Sequence, residues 1–222
     1  MAVALIVAAG RGERLGWDRP KALVSVGGRP MLEWSVEALR SVAAIDQIVV
    51  ALPAEALSEA PKGTLAVAGG TVRSASVREA LRACPDGDPV LVHDAARPLA
   101  PARLFERALA QLERSGADAV IAAAPVSDTI KEVGEDGQTV QRTLERSRLW
   151  AAQTPQVFRR RALEQALGRA SEQLLGAATD DAWLIERAGG TVRIVPSESG
   201  NIKITPAADL HLAEQVLSER SR

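Results

Sequence analysis

The chain has 222 residues, 46% of them apolar, which suits one α/β domain with a sizeable core and excludes a disordered chain. The 27 basic and 28 acidic residues leave a net charge of −1, so there is no basic field for nucleic acid as a partner. Cys84 is the single cysteine, which excludes an intrachain disulfide and a cysteine-based metal site. With a net charge this small, any anion-binding site must be made by a few well-placed basic groups and backbone amides.

The first predicted element is the short apolar run at residues 3–7, which has the pattern of a strand buried on both faces. The apolar segment around it, residues 2–9, has no basic leader and is too short to span a membrane. From this we expect no membrane partner and a cytoplasmic location.

Helices and strands alternate through the following hundred or so residues. Helical spacing begins at Pro30 and returns at residues 74–83 and 102–115. Apolar strands are predicted at residues 47–52, 65–68, 89–93 and 118–124. This alternation predicts an α/β fold with a Rossmann-like, mainly parallel, doubly wound sheet. Right-handed crossovers would bring the carboxyl ends of the strands to one edge, where ligands bind.

The pattern changes after residue 125. Short polar–apolar alternations at residues 128–132 and 139–144 are separated by a turn at 134–137. They predict a β-hairpin arm, residues 126–150, that projects from a single domain of residues 1–222. Because two strands alone are marginally stable in water, we expect the arm to pack against a second subunit in a homodimer.

The C-terminal part adds a helix at residues 181–188, a strand at 191–195 and a closing helix at 207–221. Between the last two lies the alternating segment 201–204. Its alternation predicts a strand with Asn201 and Lys203 on one face and Ile202 on the other.

The loop after the first strand has a phosphate-binding composition. It reads Ala8-Ala9-Gly10-Arg11-Gly12-Glu13-Arg14-Leu15-Gly16, with Pro20-Lys21 shortly after. Glycines let backbone amides approach a phosphate, while Arg14 and Lys21 add positive charge. The Walker spacing is absent, and Leu15 stands where the dinucleotide fingerprint requires glycine. The loop therefore favours a triphosphate over a nicotinamide dinucleotide; the simpler alternative is a tight turn with solvated charges.

Two strand ends carry further candidates. Asp94 ends an apolar strand, where its carboxylate can hold Mg²⁺ against nucleotide phosphates or, alternatively, cap the next turn. His93 has the character of a satisfied structural histidine. Gly69 and Gly70 begin a second strand-to-helix turn, and Ser76 alone would be interpreted as part of a helix cap.

Longer stretches carry a family resemblance. The opening loop with Pro20-Lys21 resembles that of the nucleotidyltransferase superfamily. Further stretches resemble the 2-C-methyl-D-erythritol 4-phosphate cytidylyltransferases, in the family's order and over nearly the whole chain. They are Val92-His93-Asp94-Ala95-Ala96-Arg97-Pro98, Ala123-Ala124-Pro125-Val126-x-Asp128-Thr129-Ile130-Lys131, Trp150-x-x-Gln153-Thr154-Pro155-Gln156-x-Phe158, Thr179-Asp180-Asp181-Ala182 and Asn201-Ile202-Lys203. The resemblance implies a homodimeric enzyme that joins CTP to 2-C-methyl-D-erythritol 4-phosphate with Mg²⁺ and releases pyrophosphate, in the non-mevalonate route to isoprenoids.

The resemblance also implies roles for single residues. Catalytic roles fall to Arg14, Lys21, Arg146 and Lys203. CTP would be bound by Ala8, Ala9, Gly10, Gly12, Gly69, Gly70, Ser76, Asp94 and Ala95. The methylerythritol phosphate would be bound by Asp94, Arg97, Thr129, Arg146, Thr154, Thr179 and Lys203, with Arg146 reaching across the dimer. Asp94 would also be the metal ligand. Thr71 stands where the family commonly has an acid; since its hydroxyl accepts a hydrogen bond, we expect CTP preference to survive.

Alternatives remain at this point. A ribitol 5-phosphate cytidylyltransferase would share the loop and differ in the acceptor. A non-catalytic nucleotide-binding regulator would keep the fold and would be expected to lose the charged residues that only chemistry needs. For the enzymes, the acceptor phosphate attacks the α-phosphorus of CTP in line. That phosphate is already ionised at neutral pH, so no general base is required.

Overall fold

A computed structural model gives the fold for residues 1–10, 19–84, 86–198 and 200–220. The strands are β1 (Ala2–Val7), β2 (Ser25–Val26), β3 (Arg29–Pro30), β4 (Ile45–Leu52), β5 (Leu65–Ala68), β6 (Val90–Asp94), β7 (Ala119–Pro125), β8 (Lys131–Val133), β9 (Val140–Thr143), β10 (Trp150–Phe158) and β11 (Val192–Pro196). The helices are α1 (Met31–Arg40), α2 (Arg73–Ala83), α3 (Ala102–Ser115), α4 (Arg160–Arg169), α5 (Glu172–Ala177), α6 (Asp181–Arg187) and α7 (Ala207–Arg220). Short 3₁₀ helices lie at Lys21–Leu23, Ala54–Glu59 and Arg146–Arg148.

The main sheet has seven strands in the order β11-β7-β10-β6-β1-β4-β5. All neighbouring pairs are parallel except those of β10, which runs antiparallel to β6 and β7. The predicted α/β class with a mainly parallel sheet is therefore confirmed. The strand order reverses between β1 and β6, so a crevice opens where these two strands end.

Helices cover both faces of this sheet because its central strands are apolar on both sides. Within β1, Ala4 and Ile6 pack into one core with α1 and α3, while Val3 and Leu5 pack into a second core with α2, α4 and α6. This period-two division is the reason that β1 appears in the sequence as a continuous apolar run.

A third, smaller core lies at one end of the sheet. It joins β2 and the start of α1 to α7 through Val26, Met31, Ile204, Ala213 and Leu217. The 3₁₀ turn that contains Lys21 precedes β2, and the segment that contains Lys203 precedes α7. This core therefore holds two segments that are far apart in sequence on the same side of the crevice.

Strand β10 was not expected from the sequence. Its segment contains Gln153-Thr154-Pro155, and proline in a central strand removes a ladder donor. The pairing of β10 with β7 shifts register between Ala152 and Gln156, so Pro155 lies where the ladder is interrupted. A sheet can therefore keep this proline in an interior strand.

The hairpin predicted after residue 125 is present as an antiparallel pair of β8 and β9 that forms its own sheet. Its turn is held by Asp136, whose carboxylate accepts a hydrogen bond from the Thr139 hydroxyl and others from the backbone amides of Gln138 and Thr139. These bonds, led by that of the Thr139 hydroxyl, lower the pKa of Asp136 to about 2. Val133 and Val140 are 42% and 53% exposed, which leaves the arm with apolar surface but little core of its own. Its role in dimerisation stays a prediction.

The strand predicted at residues 201–204 is wrong. The described residues 201–204 form no strand ladder; the backbone amide of Ile204 donates to the Ala96 carbonyl at 2.9 Å. Asn201 is buried while Lys203 is exposed, so the two residues do not share the environment that one face of a strand would give them. The alternation in the sequence reflected one outward lysine, not a strand.

Within the described residues, no helix has the length and apolar character that a membrane crossing requires.

Candidate active site

A cleft of about 750 Å³ lies at the carboxyl ends of β1 and β6, as expected for the point at which strand order reverses. Four segments form its walls: the end of β1, the 3₁₀ turn at Lys21, the loop that enters α2, and the end of β6. The C-terminal segment closes the fifth side with Lys203 and Thr205. From the residues predicted to bind CTP, the cleft is lined by Ala8, Ala9, Gly10, Gly70, Ser76, Asp94 and Ala95.

Asp94 is the acidic centre of the cleft. It is the last residue of β6 and only 6% exposed. Its Oδ2 accepts from the Lys203 ammonium at 2.8 Å, and its Oδ1 lies 3.0 Å from the Nε of Arg73. Burial alone would raise the pKa of the Asp94 carboxyl, but Arg73 and Lys203 outweigh it and hold that pKa far below its usual range. Asp94 is therefore ionised and bound by a cation on each oxygen.

Arg73 has no assigned role in the sequence patterns, yet it lies between two carboxylates. Its Nη1 donates to Asp181 Oδ2 at 2.5 Å, while its Nε donates to Asp94. Burial disfavours the charge, but Asp181 and Asp94 raise the pKa of the guanidinium above its ordinary value. One feature of the sequence could have drawn attention to Arg73: it is the first residue of α2, where the helix dipole disfavours a cation.

The backbone of Asp94 is fixed from the opposite side by a hydrogen-bonded chain. Its amide donates to the Thr154 hydroxyl at 3.0 Å, and that oxygen lies 3.0 Å from Nδ1 of His93. The Nε2 of His93 faces the Arg97 carbonyl at 3.3 Å. Burial lowers the pKa of His93 to about 4, so the ring is neutral. The Thr154 hydroxyl then donates to Nδ1, and the ring proton lies on Nε2. His93 is a satisfied structural histidine, as predicted.

Arg97 lies beneath the cleft and is not among the residues that line it. Its guanidinium donates to the Asn201 carbonyl at 2.6 Å. The side-chain amide of Asn201 in turn donates to the Thr154 backbone carbonyl and to the Gln153 side-chain carbonyl, both at 2.9 Å. Together these bonds fix the segment that presents Lys203 to Asp94.

The other predicted residues are dispersed. Arg14 and Gly12 lie outside the described residues. Thr129 and Thr179 are exposed and do not line the cleft. Arg146 is exposed at the base of the arm, where its guanidinium donates to the Ser127 carbonyl at 2.6 Å. One chain alone therefore gathers Lys21, Asp94 and Lys203, with Thr154 just behind them, and leaves Arg146 outside.

The glycine turn before α2 packs too closely for side chains. A Cβ on Gly69 would lie 2.4 Å from the Cβ of Ala9, and one on Gly70 would lie 2.5 Å from the Cβ of Ala75. The Ser76 hydroxyl accepts from the Gly70 amide at 3.1 Å. Gly69 thus sets the distance between this turn and the end of the Ala8-Ala9 segment, while Ser76 fixes the turn on α2.

We expect Gly69→Ala to weaken CTP binding about tenfold and to lower Tm by several degrees. The added methyl must push the turn away from Ala9, and overpacking of this kind costs about 1–3 kcal/mol. Calorimetric titration with CTP and thermal unfolding check both effects. Gly168→Ala is the matched control, because nothing lies within 4 Å of a Cβ there. Wild-type CTP affinity in Gly69→Ala would show that the two loops do not define the site together.

The cleft offers one carboxylate to a metal ion. Asp94 is the only acidic residue among its described lining, and the described residues contain no cluster of three or more potential His, Cys, Asp or Glu ligands. A single carboxylate fits Mg²⁺, which keeps waters and takes substrate phosphates as further ligands. The residues therefore fit a metal that arrives with a nucleotide.

The chemistry that this arrangement supports is charge neutralisation. Lys21 and Lys203 line the cleft with the backbone of residues 8–10, and Asp94 marks its floor. Basic groups around one acid suit a polyanion with a bound cation. Binding and neutralising a polyanion in this way requires no covalent intermediate with the protein.

Comparison with known proteins identifies the family to which the chain is similar. A family model described as 2-C-methyl-D-erythritol 4-phosphate cytidylyltransferase matches residues 2–219. A protein of that name from Frankia casuarinae is 48% identical over 97% of this chain and 80% of its own length, and one from Rhodococcus jostii is 46% identical over 98% and 95%. The crystal structure of the Thermus thermophilus cytidylyltransferase superposes with a TM-score of 0.82 at 36% identity, covering 98% of this chain and all of that one (100%). With the sequence, the fold and the cleft in agreement, this chain belongs to the 2-C-methyl-D-erythritol 4-phosphate cytidylyltransferase family.

Proposed function

We propose that the chain transfers the cytidylyl group of CTP to 2-C-methyl-D-erythritol 4-phosphate. The products are 4-diphosphocytidyl-2-C-methyl-D-erythritol and pyrophosphate, and the step belongs to the non-mevalonate isoprenoid pathway. Family membership over residues 2–219 supports this reaction over its alternatives. The structural observation that carries it is the meeting of Lys21, Asp94 and Lys203 at one cleft. We assign the reaction to the cytoplasm, where a phosphorylated pathway intermediate would be retained.

In the reaction, a phosphate oxygen of the acceptor attacks the α-phosphorus of CTP. A new P–O bond forms there, and the bond from the α-phosphorus to the bridging oxygen of the β-phosphate breaks, so that pyrophosphate leaves. The attacking phosphate is already ionised, so the protein must bring two polyanions together and neutralise the charge on the α-phosphoryl group. This requirement matches a cleft with more cations than acids.

Each residue then has a defined part. Lys21, with Arg14 from the same loop, would stabilise the α-phosphoryl group at the transition state. Lys203 would hold the phosphate of the acceptor, and Thr154 would fix the backbone of Asp94. Mg²⁺, held by Asp94 and the nucleotide phosphates, would supply further charge neutralisation on them.

The direct test is pyrophosphate release by the purified protein with Mg²⁺ and CTP. The acceptors to compare are 2-C-methyl-D-erythritol 4-phosphate and ribitol 5-phosphate. We expect release with the former alone. Release only with ribitol 5-phosphate would make this chain a pentitol-phosphate cytidylyltransferase, and release with neither acceptor would favour a nucleotide-binding regulator.

We also propose that the active form is a homodimer in which Arg146 serves the partner's cleft. The exposed arm with its uncovered valines and the position of Arg146 at the base of the arm support this arrangement. A planar guanidinium suits a phosphate, because it donates two parallel hydrogen bonds.

Arg146→Ala is expected to raise KM for the methylerythritol phosphate at least about tenfold with KM for CTP nearly unchanged, since charge-assisted bonds are worth about 1.5–3 kcal/mol. Steady-state kinetics with each substrate varied in turn measure this. Arg142→Ala is the control, since that guanidinium pairs with Glu132 on the arm itself.

Mixing subunits tests the arrangement across the dimer. A dimer of one Arg146→Ala chain and one Lys21→Ala chain has both defects in one site and neither in the other. Random exchange makes about half of the dimers mixed. At acceptor concentrations well below KM, where both parent proteins have low activity, about a quarter of wild-type activity should therefore return. No recovery would place Arg146 in its own chain's site or rule out the dimer.

A further inference from the structure

Asp181 is a buried carboxylate that does not cap its own helix. It is fully buried, at 0% exposure, in the first turn of α6. The cap of that helix is the preceding residue, Asp180, whose carboxylate accepts from the Trp183 amide at 2.8 Å. An acid at this position can favour the helix dipole without being buried. Burial of a carboxylate is costly unless it is well paired, so its place demands another reason.

Asp181 pairs with a side chain from a distant part of the sequence. Asp181 Oδ2 bonds Nη1 of Arg73, which is 108 residues away in sequence, and the other oxygen of Asp181 has no hydrogen-bond partner in the described part of the structure. The carboxylate therefore serves one bond only. Burial raises the pKa of the Asp181 carboxyl, and the charge and hydrogen bond of Arg73 oppose that rise.

Arg73 carries the connection to the cleft. It lines the cleft and binds Asp94 through Nε, while Nη1 holds Asp181. With a separate carboxylate on each side, its guanidinium plane has one orientation. Removal of Asp181 would leave Arg73 free to turn about its bond to Asp94 or to move toward the phosphates of a bound nucleotide.

We propose that Asp181 is a positioning residue for nucleotidyl transfer: acting through Arg73, it holds the Asp94 carboxylate in place on the floor of the cleft. This inference rests on the proposed function for its kinetic test. It does not make Asp181 a catalytic residue, because Asp181 touches neither the cleft nor a substrate. A displacement of about 1 Å at the reacting groups can cost about 10²-fold in rate, which sets the size of the effect.

The test is a double-mutant cycle with Asp181→Asn, Arg73→Gln and the pair. We expect Asp181→Asn to lower kcat about 10- to 100-fold with KM for CTP within about threefold, since CTP is held by several other segments. In the Arg73→Gln background the same change should alter kcat by no more than about twofold. Asp181→Glu, which retains the charge, should recover part of the loss.

Stability separates positioning from a purely structural role. Asp118→Asn is the matched control: its carboxylate also accepts one long-range bond, from the Thr191 amide at 2.8 Å, at the end of the sheet opposite the cleft. Because Asp181 is buried and ion-paired whereas the control carboxylate is partly exposed, Asp181→Asn should lower Tm more than the control, and it alone of the two should also lose activity. Independent effects of Asp181→Asn and Arg73→Gln, or a loss of Tm with kcat intact, would overturn the proposal.

A crystal structure of Asp181→Asn gives a readout without the acceptor. Rotation of Arg73 and a shifted Asp94 carboxylate are expected, and an unchanged pair would contradict the inference. If wild-type protein uses neither acceptor, the proposed function fails while this structural result still decides the role of Asp181.

Discussion

Replacement of Lys21 by alanine is expected to lower kcat about 10²- to 10³-fold while KM for CTP rises less than about tenfold. Lys21 lines the cleft, and its surroundings fix its backbone: its amide donates to the Gly10 carbonyl at 3.2 Å, and Pro20 precedes it. Ala22 and Leu23 directly after it are buried. A backbone fixed in this way keeps the lysine side chain at the cleft, which limits the reorganisation needed when the α-phosphoryl group becomes more negative.

The expected loss in kcat exceeds the expected change in KM because the charge on the α-phosphoryl group changes in the transition state and not on binding. The triphosphate is a polyanion before and after binding, and several segments of the cleft hold it. Charge on the α-phosphoryl group increases only in the transition state, so a cation placed there stabilises that state selectively.

Steady-state kinetics with calorimetric CTP binding check this prediction. Lys62→Ala is the control, since this exposed lysine lies away from the cleft and carries the same charge. Equal losses in kcat and in CTP affinity would mean that Lys21 contributes only to binding. A wild-type kcat in Lys21→Ala would mean that Lys21 does not stabilise the transition state.

The sequence predicts the floor of this site because each of its features is local. A continuous apolar run predicts β1, a glycine-rich loop follows it, and Asp94 ends another apolar run. The topology of parallel strands then places both ends at one edge. Nothing beyond strand spacing and the handedness of the crossovers is needed for that step.

Arg73 and Asp181 could not be found in the same way. Their partnership joins residues far apart in sequence. Asp181 alone has the appearance of an ordinary acid at the start of a helix, and the unfavourable position of Arg73 in the helix dipole does not identify its partner. The 201–204 segment fails for a related reason: Asn201 is buried for its bonds to Thr154 and Gln153, not for its place in an alternating pattern. Tertiary hydrogen bonds there override the local period.

Asp94→Asn is expected to have the largest effect of any single change, a loss of kcat of at least about 10³-fold. Asparagine keeps the shape and the backbone bond to Thr154 but removes the charge that would hold Mg²⁺, and such a metal supplies several kcal/mol at the transition state. Pyrophosphate release at saturating CTP and Mg²⁺ measures the loss. Asp118→Asn, remote from the cleft, is the control.

The same substitution has a stability signature that depends on pH. Asparagine leaves Arg73 and Lys203 without a counter-charge at Asp94, and breaking a buried pair costs about 3–5 kcal/mol. We expect the lower end of this range, because the Lys203 side chain is 43% exposed and can turn to water. The pKa of Asp94 is depressed in the folded protein, so its stabilising charge is fully present above the ordinary carboxyl pKa and is lost as the pH falls toward the folded value. The gap in unfolding free energy between wild type and Asp94→Asn should therefore be widest near neutral pH and narrow below about pH 4. A gap that stayed constant down to strongly acidic pH would mean that the ion pairs of Asp94 contribute nothing to folding, and that its place in the cleft is fixed by the Thr154 bond alone.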